Sequence, residues 1–183
     1  MEDGKVWNYT SNENDKLQEN IKKKGKSFIY TNHEMAKHLI SISDIQKGDI
    51  VIEPGKGDGA FYNNIPTDCS AVWCEINEGR DFFEYDETKL VDVCLSNPPF
   101  VPRKLFWNFM EKSMRITKRK IYWLLNLSSL NVFTPRRIDI MKEQGWFIQS
   151  FHIVADKRWF GRYTWVEIGR EDKGIFTCHR KTF

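Results

Sequence analysis

Ile50-Val51-Ile52-Glu53-Pro54-Gly55-Lys56-Gly57-Asp58-Gly59 is the stretch from which the rest of the chain can be read. Three β-branched apolar residues in a row suit a short buried strand, and they run straight into a turn that holds three glycines. Glycine lacks a Cβ and tolerates positive φ, so Gly55, Gly57 and Gly59 allow a tight turn and a close approach of backbone to a ligand. Alone, such a turn is also an ordinary strand-to-helix connection. It has no Gly-Lys-Ser/Thr ending, which argues against a loop for nucleoside triphosphates.

On the C-terminal side, residues 71–76 form a second expected strand, and residues 91–96 a third that ends in Asn97-Pro98-Pro99-Phe100. Leu105, Phe106, Phe109, Met110 and Met114 recur at helical spacing and predict an amphipathic helix over 103–116. Residues 121–127 read as the next buried strand, and Pro135 opens a helix that stops before Gly145. Residues 146–154 and 164–169 read as later strands, and residues 171–174 as a turn into a last one over 175–179. On the N-terminal side, a helix capped by Thr31 or Asn32 carries Ala36, Leu39 and Ile40, and residues 44–48 turn the chain into the first strand. Strands alternating with helices predict an α/β sheet, mostly parallel, with an antiparallel C-terminal edge. Its ligand is expected at the carboxyl ends of the strands, where the three special loops meet.

A length of 183 residues suits a single domain with a substantial core. Residues 1–20 are polar and are expected to be a flexible arm before one catalytic domain over 21–183. The 83 residues after Phe100 are largely used by the expected sheet, so no separate target-recognition domain is expected. Selectivity would then fall to short loops, the arm, a partner chain or a homodimer. A hydrophobic share of 40% and an aromatic share of 14% exclude a disordered chain. The formal charge of +3 is too small to identify a nucleic-acid partner by itself. Cys69, Cys74, Cys94 and Cys178 have neither zinc-site spacing nor disulfide density, and no metal is expected. No apolar run approaches 18 residues and no secretory leader is recognisable, so a reducing interior such as the cytoplasm is expected, with no membrane partner.

Glu75 ends the second strand 18 residues after Gly57, where a carboxylate can accept two hydrogen bonds from a ribose diol. Asp81 and Phe82 follow, offering an acceptor for an adenine amino group and an aromatic face, although core packing accounts equally well for a phenylalanine. Two prolines directly after a buried strand cannot continue the ladder and enforce a rigid turn. Asn97, the backbone of Pro98 and Pro99, and the ring of Phe100 there suit a flat base that bears an amino group.

At these residues the chain resembles the class I S-adenosylmethionine-dependent amino-methyltransferases, and among them the DNA adenine-N6 family, over roughly residues 28–100. Residues 53–61 resemble that family's cofactor loop, and Asn97-Pro98-Pro99-Phe100 its N/D-P-P-Y/F/W motif. Phe28-Ile29-Tyr30-Thr31-Asn32 with the helix after it resembles the segment that precedes the loop in members where cofactor binding comes before catalysis. The resemblance implies a Rossmann-like methyltransferase sheet and S-adenosyl-L-methionine as cofactor, held by Tyr30, Thr31, Glu53, Pro54, Gly55, Gly57, Glu75, Ile76, Asp81, Phe82 and Asn97. It implies Asn97, Pro98, Pro99 and Phe100 at the acceptor, DNA as the substrate with RNA as the alternative, and N6 of adenine as the methylated atom. A protein glutamine acceptor and a catalytically silent partner subunit stay open. Only five residues separate Glu75 from Asp81, too few for the helix and strand usual in the family, so an abbreviated sheet is expected. A base within a duplex must be flipped out, which calls for phosphate contacts near the pocket. Arg103, Lys104, Arg136, Arg137, Arg158 and Arg162 are the candidates.

Overall fold

The computed structural model describes residues 30–99, 102–155 and 162–174. Phe100, Arg158 and the strand expected over 175–179 lie outside them, as does the N-terminal arm.

Helix α1 (His33–Ser41) starts at Asn32, whose side chain accepts the backbone N–H groups of Glu34 and Met35 at 2.9 and 3.2 Å. Two of the first-turn donors that the helix leaves unpaired are thereby satisfied. Strands β1 (Ile50–Glu53), β2 (Ser70–Trp73), β3 (Val91–Ser96) and β4 (Thr117–Asn126) run parallel. Helix α2 (Arg103–Ile116) leads directly into β4, and α3 (Pro135–Glu143) precedes β5 (Phe147–Ala155). Strand β6 (Arg162–Gly169) enters between β4 and β5, antiparallel to both, giving the order β2-β1-β3-β4-β6-β5. This is the expected α/β sheet, mostly parallel, with its antiparallel pairings at the C-terminal edge.

Side chains alternate across β4 with the period of two that a strand imposes. Tyr122 and Leu124 face α1, together with Phe61 and Trp165, whereas Ile121, Trp123 and Leu125 face the core beneath α2 and α3. Trp165 stacks on Phe61 and on Tyr122, with ring centroids 5.1 and 5.6 Å apart. Its indole N–H donates to Ser43 Oγ at 3.0 Å, and the Asp44 N–H donates to the Tyr122 hydroxyl at 2.8 Å. The loop after α1 is thus tied to the sheet, which fixes where the N-terminal end of α1 lies.

Neither connection beside β2 contains an α-helix. Single 3-10 turns at Tyr62–Asn64, Ile76–Glu78 and Phe82–Glu84 take that place. Prolines 54 and 66 and three glycines leave the first connection poor in helix formers. Strand β2 stops at Trp73 instead of reaching residue 76, because Glu75 and Arg80 exchange backbone hydrogen bonds of 2.8 and 3.1 Å around Gly79 at φ 71°. That tight turn takes up the short gap before Asp81, so β2 is an edge of an abbreviated sheet. Strand β4 begins at Thr117, earlier than expected, since Val91 already pairs there, and residue 127 opens a 3-10 helix, Leu127–Val132.

Candidate active site

Parallel pairing brings the carboxyl ends of β1, β3 and β4 to one side of the sheet. Glu53 ends β1 almost wholly buried, and its Oε2 accepts the Tyr62 N–H at 2.8 Å. Burial pushes its carboxyl up to about 9, against the Tyr62 hydrogen bond and the charge of Lys56, with Asp58 and Glu75 adding to the rise. At neutral pH Glu53 is therefore a protonated acid able to donate as well as accept. Pro54 is buried behind it. At Gly57 the backbone has φ 55°, and an added Cβ would come within 3.0 Å of the Tyr30 ring. At Gly55 a Cβ would meet only Ser96 Oγ, at an ordinary 3.7 Å.

Asn97 follows β3, and its Nδ2 donates to Thr31 Oγ1 at 3.1 Å. Its Oδ1 is buried and has no hydrogen-bond partner among the described residues, and the same holds for Ser96 Oγ. An unpaired buried polar atom costs about 1–3 kcal/mol, and native structures contain few of them. Asn97 Oδ1 and Ser96 Oγ are adjacent at the end of one strand, beside the Gly-rich turn; Thr117 Oγ1, Trp123 Nε1 and Thr164 Oγ1 are buried and unpaired elsewhere among the described residues. Tyr30, Thr31, Gly55, Gly57, Ser96 and Asn97 are thus gathered at one locus. Ser96 was not among the residues picked out by sequence, where it reads as one more residue of the strand.

The far side of the turn is different. Glu75 accepts the Gly57 N–H at 2.8 Å through Oε2, and Asn77 N–H and Nδ2 at 3.0 and 2.9 Å through Oε1. Its carboxylate braces the loop, while Ile76 opens the 3-10 turn that follows. Asp81 accepts the Phe83 N–H at 2.9 Å as the cap of the next turn. Phe82 is 2% exposed and packs against Phe83 and Phe109, so its ring belongs to the core and offers no free face to an adenine. Lys112, buried on α2, donates to the carbonyls of Phe83 and Tyr85 at 2.7 and 2.8 Å and pins this loop. A lysine in phase with Leu105 and Phe109 was a legible signal of that role. Lys56 pairs with Glu78 at 2.7 Å, and Lys56 and Arg80 each lie about 4 Å from the centre of the Trp73 ring.

Arg103 and Lys104 are exposed in the first turn of α2, Arg136 in the first turn of α3, and Arg162 at the start of β6. All four lie at the carboxyl-end side of the sheet. Arg137 is held internally: it donates to the Val132 carbonyl at 3.0 Å and lies 4.8 Å over the Trp107 ring. Among the described residues no group of three or more His, Cys, Asp or Glu is placed to hold a metal ion. No helix among them is long and apolar enough to cross a membrane.

Neither a family model nor a curated protein sequence matches the chain. Solved structures do. A protein from Listeria monocytogenes assigned as a class I S-adenosylmethionine-dependent methyltransferase superposes with a TM-score of 0.59 at 14% identity, over 95% of this chain and 72% of its own. The modification subunit of a protein assigned as a type I restriction enzyme from Vibrio vulnificus gives 0.55 at 16% identity, over 91% of this chain. This chain spans about half of that subunit's length (51%). Magnesium protoporphyrin IX methyltransferase from Synechocystis, solved with its S-adenosylmethionine, gives 0.52 at 10% identity, over 75% and 77% of the two chains. The likeness is one of fold, and the fold is that of the class I methyltransferases.

Proposed function

We propose that the protein is an S-adenosylmethionine-dependent methyltransferase acting on an exocyclic amine, with N6 of adenine in DNA as the acceptor. The observation that carries the reading is the buried, unpartnered Asn97 Oδ1 beside the Gly-rich turn. The donor set fits the cofactor: Gly55 and Gly57 allow backbone approach, Ser96 Oγ is an unused hydroxyl, and the Glu53 acid sits at the root of the loop. Bound there, S-adenosyl-L-methionine supplies an electrophilic methyl group on its sulfonium.

An amine conjugated to a purine is a poor nucleophile because its lone pair is delocalised into the ring. Asn97 Oδ1 and the Pro98 carbonyl accept its two hydrogens, which favours a tetrahedral nitrogen with a localised pair. Pro98 and Pro99 keep these acceptors rigid, so little reorganisation is needed at the moment of reaction. Phe100, outside the described residues, would stack on the base in this reading. No side-chain base is needed before transfer, since the nitrogen gives up its proton to water only after it has become cationic. Glu75 in this reading presents its one remaining lone pair, on Oε2, to a ribose hydroxyl while it holds Gly57 and Asn77. Asp81, with one oxygen used as a cap, keeps the other for the adenine amine. Arg103, Lys104, Arg136 and Arg162 supply phosphate contacts around a flipped base, and one domain carries the whole reaction.

Mass spectrometry of nucleosides from DNA and RNA treated with the protein and methyl-labelled cofactor tests the proposal. N6-methyladenine in DNA supports it. Label found only in RNA or in protein glutamine moves the acceptor while keeping the chemistry, and absence of cofactor binding by calorimetry leaves a silent partner subunit.

A further inference from the structure

We infer that Asn126 reads the ring of the acceptor base: its side-chain N–H groups donate to N1 of adenine, next to the amine that Asn97 holds. The inference rests on the proposed function above and adds the contact that selects the base.

Asn126 is the last residue of β4, which runs parallel to β3 with Trp123 opposite Ser96. Continued past Ser96, that register sets Leu124 opposite Asn97 and Asn126 one side-chain repeat further on. By the spacing of parallel strands the two asparagines are then roughly 8 Å apart at Cα. Both lie on the α1 face of the sheet: Asn97 reaches Thr31 at the start of α1, and Asn126 alternates in phase with Tyr122 and Leu124. Two carboxamides thus stand at the carboxyl ends of neighbouring strands, close enough to converge on one edge of a base.

The Asn126 amide has a defined orientation. Its Oδ1 accepts the Ser128 backbone N–H and the Ser128 hydroxyl, each at 2.9 Å. A backbone N–H can only donate, so the atom that meets it is the oxygen. Nδ2 is left as the free end of a half-buried side chain, with no hydrogen bond among the described residues. The contacts with Ser128 need only an oxygen at position 126, which aspartate or serine would supply as well. The N–H pair is what asparagine adds.

In a duplex, one N6 hydrogen of adenine is accepted by O4 of thymine, and N1 accepts the thymine N3–H. Flipping the base out strips both contacts, and a ring nitrogen left unpaired in a closed site costs its desolvation. Asn97 Oδ1 takes the place of the thymine oxygen, and Asn126 Nδ2 that of the thymine N–H. Guanine and thymine present the opposite pattern, an oxygen beside a ring N–H, and would set donor against donor and acceptor against acceptor.

Asn126→Ser keeps an oxygen for Ser128 and removes the N–H groups. The test substrates are single-stranded oligodeoxyadenylate and the same strand built from 1-deaza- or 7-deaza-2′-deoxyadenosine, in which C–H replaces one ring nitrogen. Loss of N1 is expected to cost the wild type about 3- to 10-fold more in kcat/KM than it costs the serine variant, the worth of one hydrogen bond. Differences in the reactivity of the amines are common to both proteins and cancel in that ratio. Loss of N7 should cost the two proteins equally. Asn126→Asp also keeps the oxygen for Ser128 but sets a carboxylate against N1, so it should methylate oligodeoxyadenylate more slowly than the serine variant. Fluorescence anisotropy of the three strands on each protein reads the same ratio without turnover. Equal discrimination by wild type and Asn126→Ser in both measurements would overturn the inference and leave Asn126 as the cap of Leu127–Val132. A difference that appears with the 7-deaza strand instead would overturn it too. If the serine variant does not fold, the aspartate variant decides by the same ratio. Methylation of no acceptor by the wild type would sink the proposed function, whereas methylation with no dependence on Asn126 would sink this inference alone.

Discussion

The ends of β2 and β3 lie on either side of the same Gly-rich turn and treat their polar groups in opposite ways. At the end of β2, Glu75 is occupied by Gly57 and Asn77, Asp81 caps a turn, and Phe82 is packed into the core. At the end of β3, Ser96 Oγ and Asn97 Oδ1 are buried with no partner among the described residues. Acids whose lone pairs are used locally brace a loop. Buried groups left without a partner beside a Gly-rich turn suit a polar ligand, which is the role the proposed function gives them. In the proposed function, the difference separates the part of the turn that holds shape from the part that meets the reacting groups.

The contrast can be broken at several points. The largest effect is expected from Phe82→Ala, which should lower stability by about 3–5 kcal/mol, as for other buried phenylalanines, in chemical denaturation. A loss below 1 kcal/mol together with weakened cofactor affinity would return Phe82 to the adenine site. Next comes Asn97→Ala, expected to reduce turnover at least about 10²- to 10³-fold, the range for removal of one transition-state hydrogen-bonding group. Cofactor affinity should change only a few fold, and relief of an unpaired acceptor should leave the melting temperature unchanged or raised. An equal loss of cofactor binding would place Asn97 on the bracing side.

Glu53 gives a pH test. Its folded pKa lies above its ordinary 4.5, at about 9, so the folded state holds the proton more tightly than the unfolded chain. The associated stability is complete below pH 4.5 and declines as pH rises toward 9, with a slope of at most about 1.4 kcal/mol per pH unit. Glu53→Gln should flatten that decline when denaturation midpoints are compared across this range. Parallel curves for variant and wild type would mean that the carboxyl is ionised in the folded protein. The smallest effect on stability is expected at Asp81: loss of its cap in Asp81→Ala should cost about 1 kcal/mol in chemical denaturation, with cofactor affinity in calorimetry lowered by the loss of the adenine acceptor.

Much of this was open to inspection in the residues alone. The run of β-branched residues into Gly55, Gly57 and Gly59, the double proline after residues 91–96 and the helical spacing of Leu105 to Met114 are local patterns. Periodicity and turn chemistry are set by neighbours in the chain, which is why β3 and α2 fall where the sequence predicts. The short gap from Glu75 to Asp81 also announced the abbreviated sheet.

What local pattern could not supply was the partner of each polar group. A phenylalanine looks the same to the sequence whether its ring meets adenine or Phe109, and only packing assigned Phe82 to the core. Arg137 reads as a phosphate ligand until Trp107 and the Val132 carbonyl hold it. The bond between Thr31 and Asn97 joins residues 66 positions apart and exists only because the sheet carries the start of α1 over the end of β3. The sequence determined which chemical groups were present and the local shapes they favour. The tertiary structure decided which of them were satisfied internally, because hydrogen bonds and burial depend on neighbours in space that a linear order does not specify.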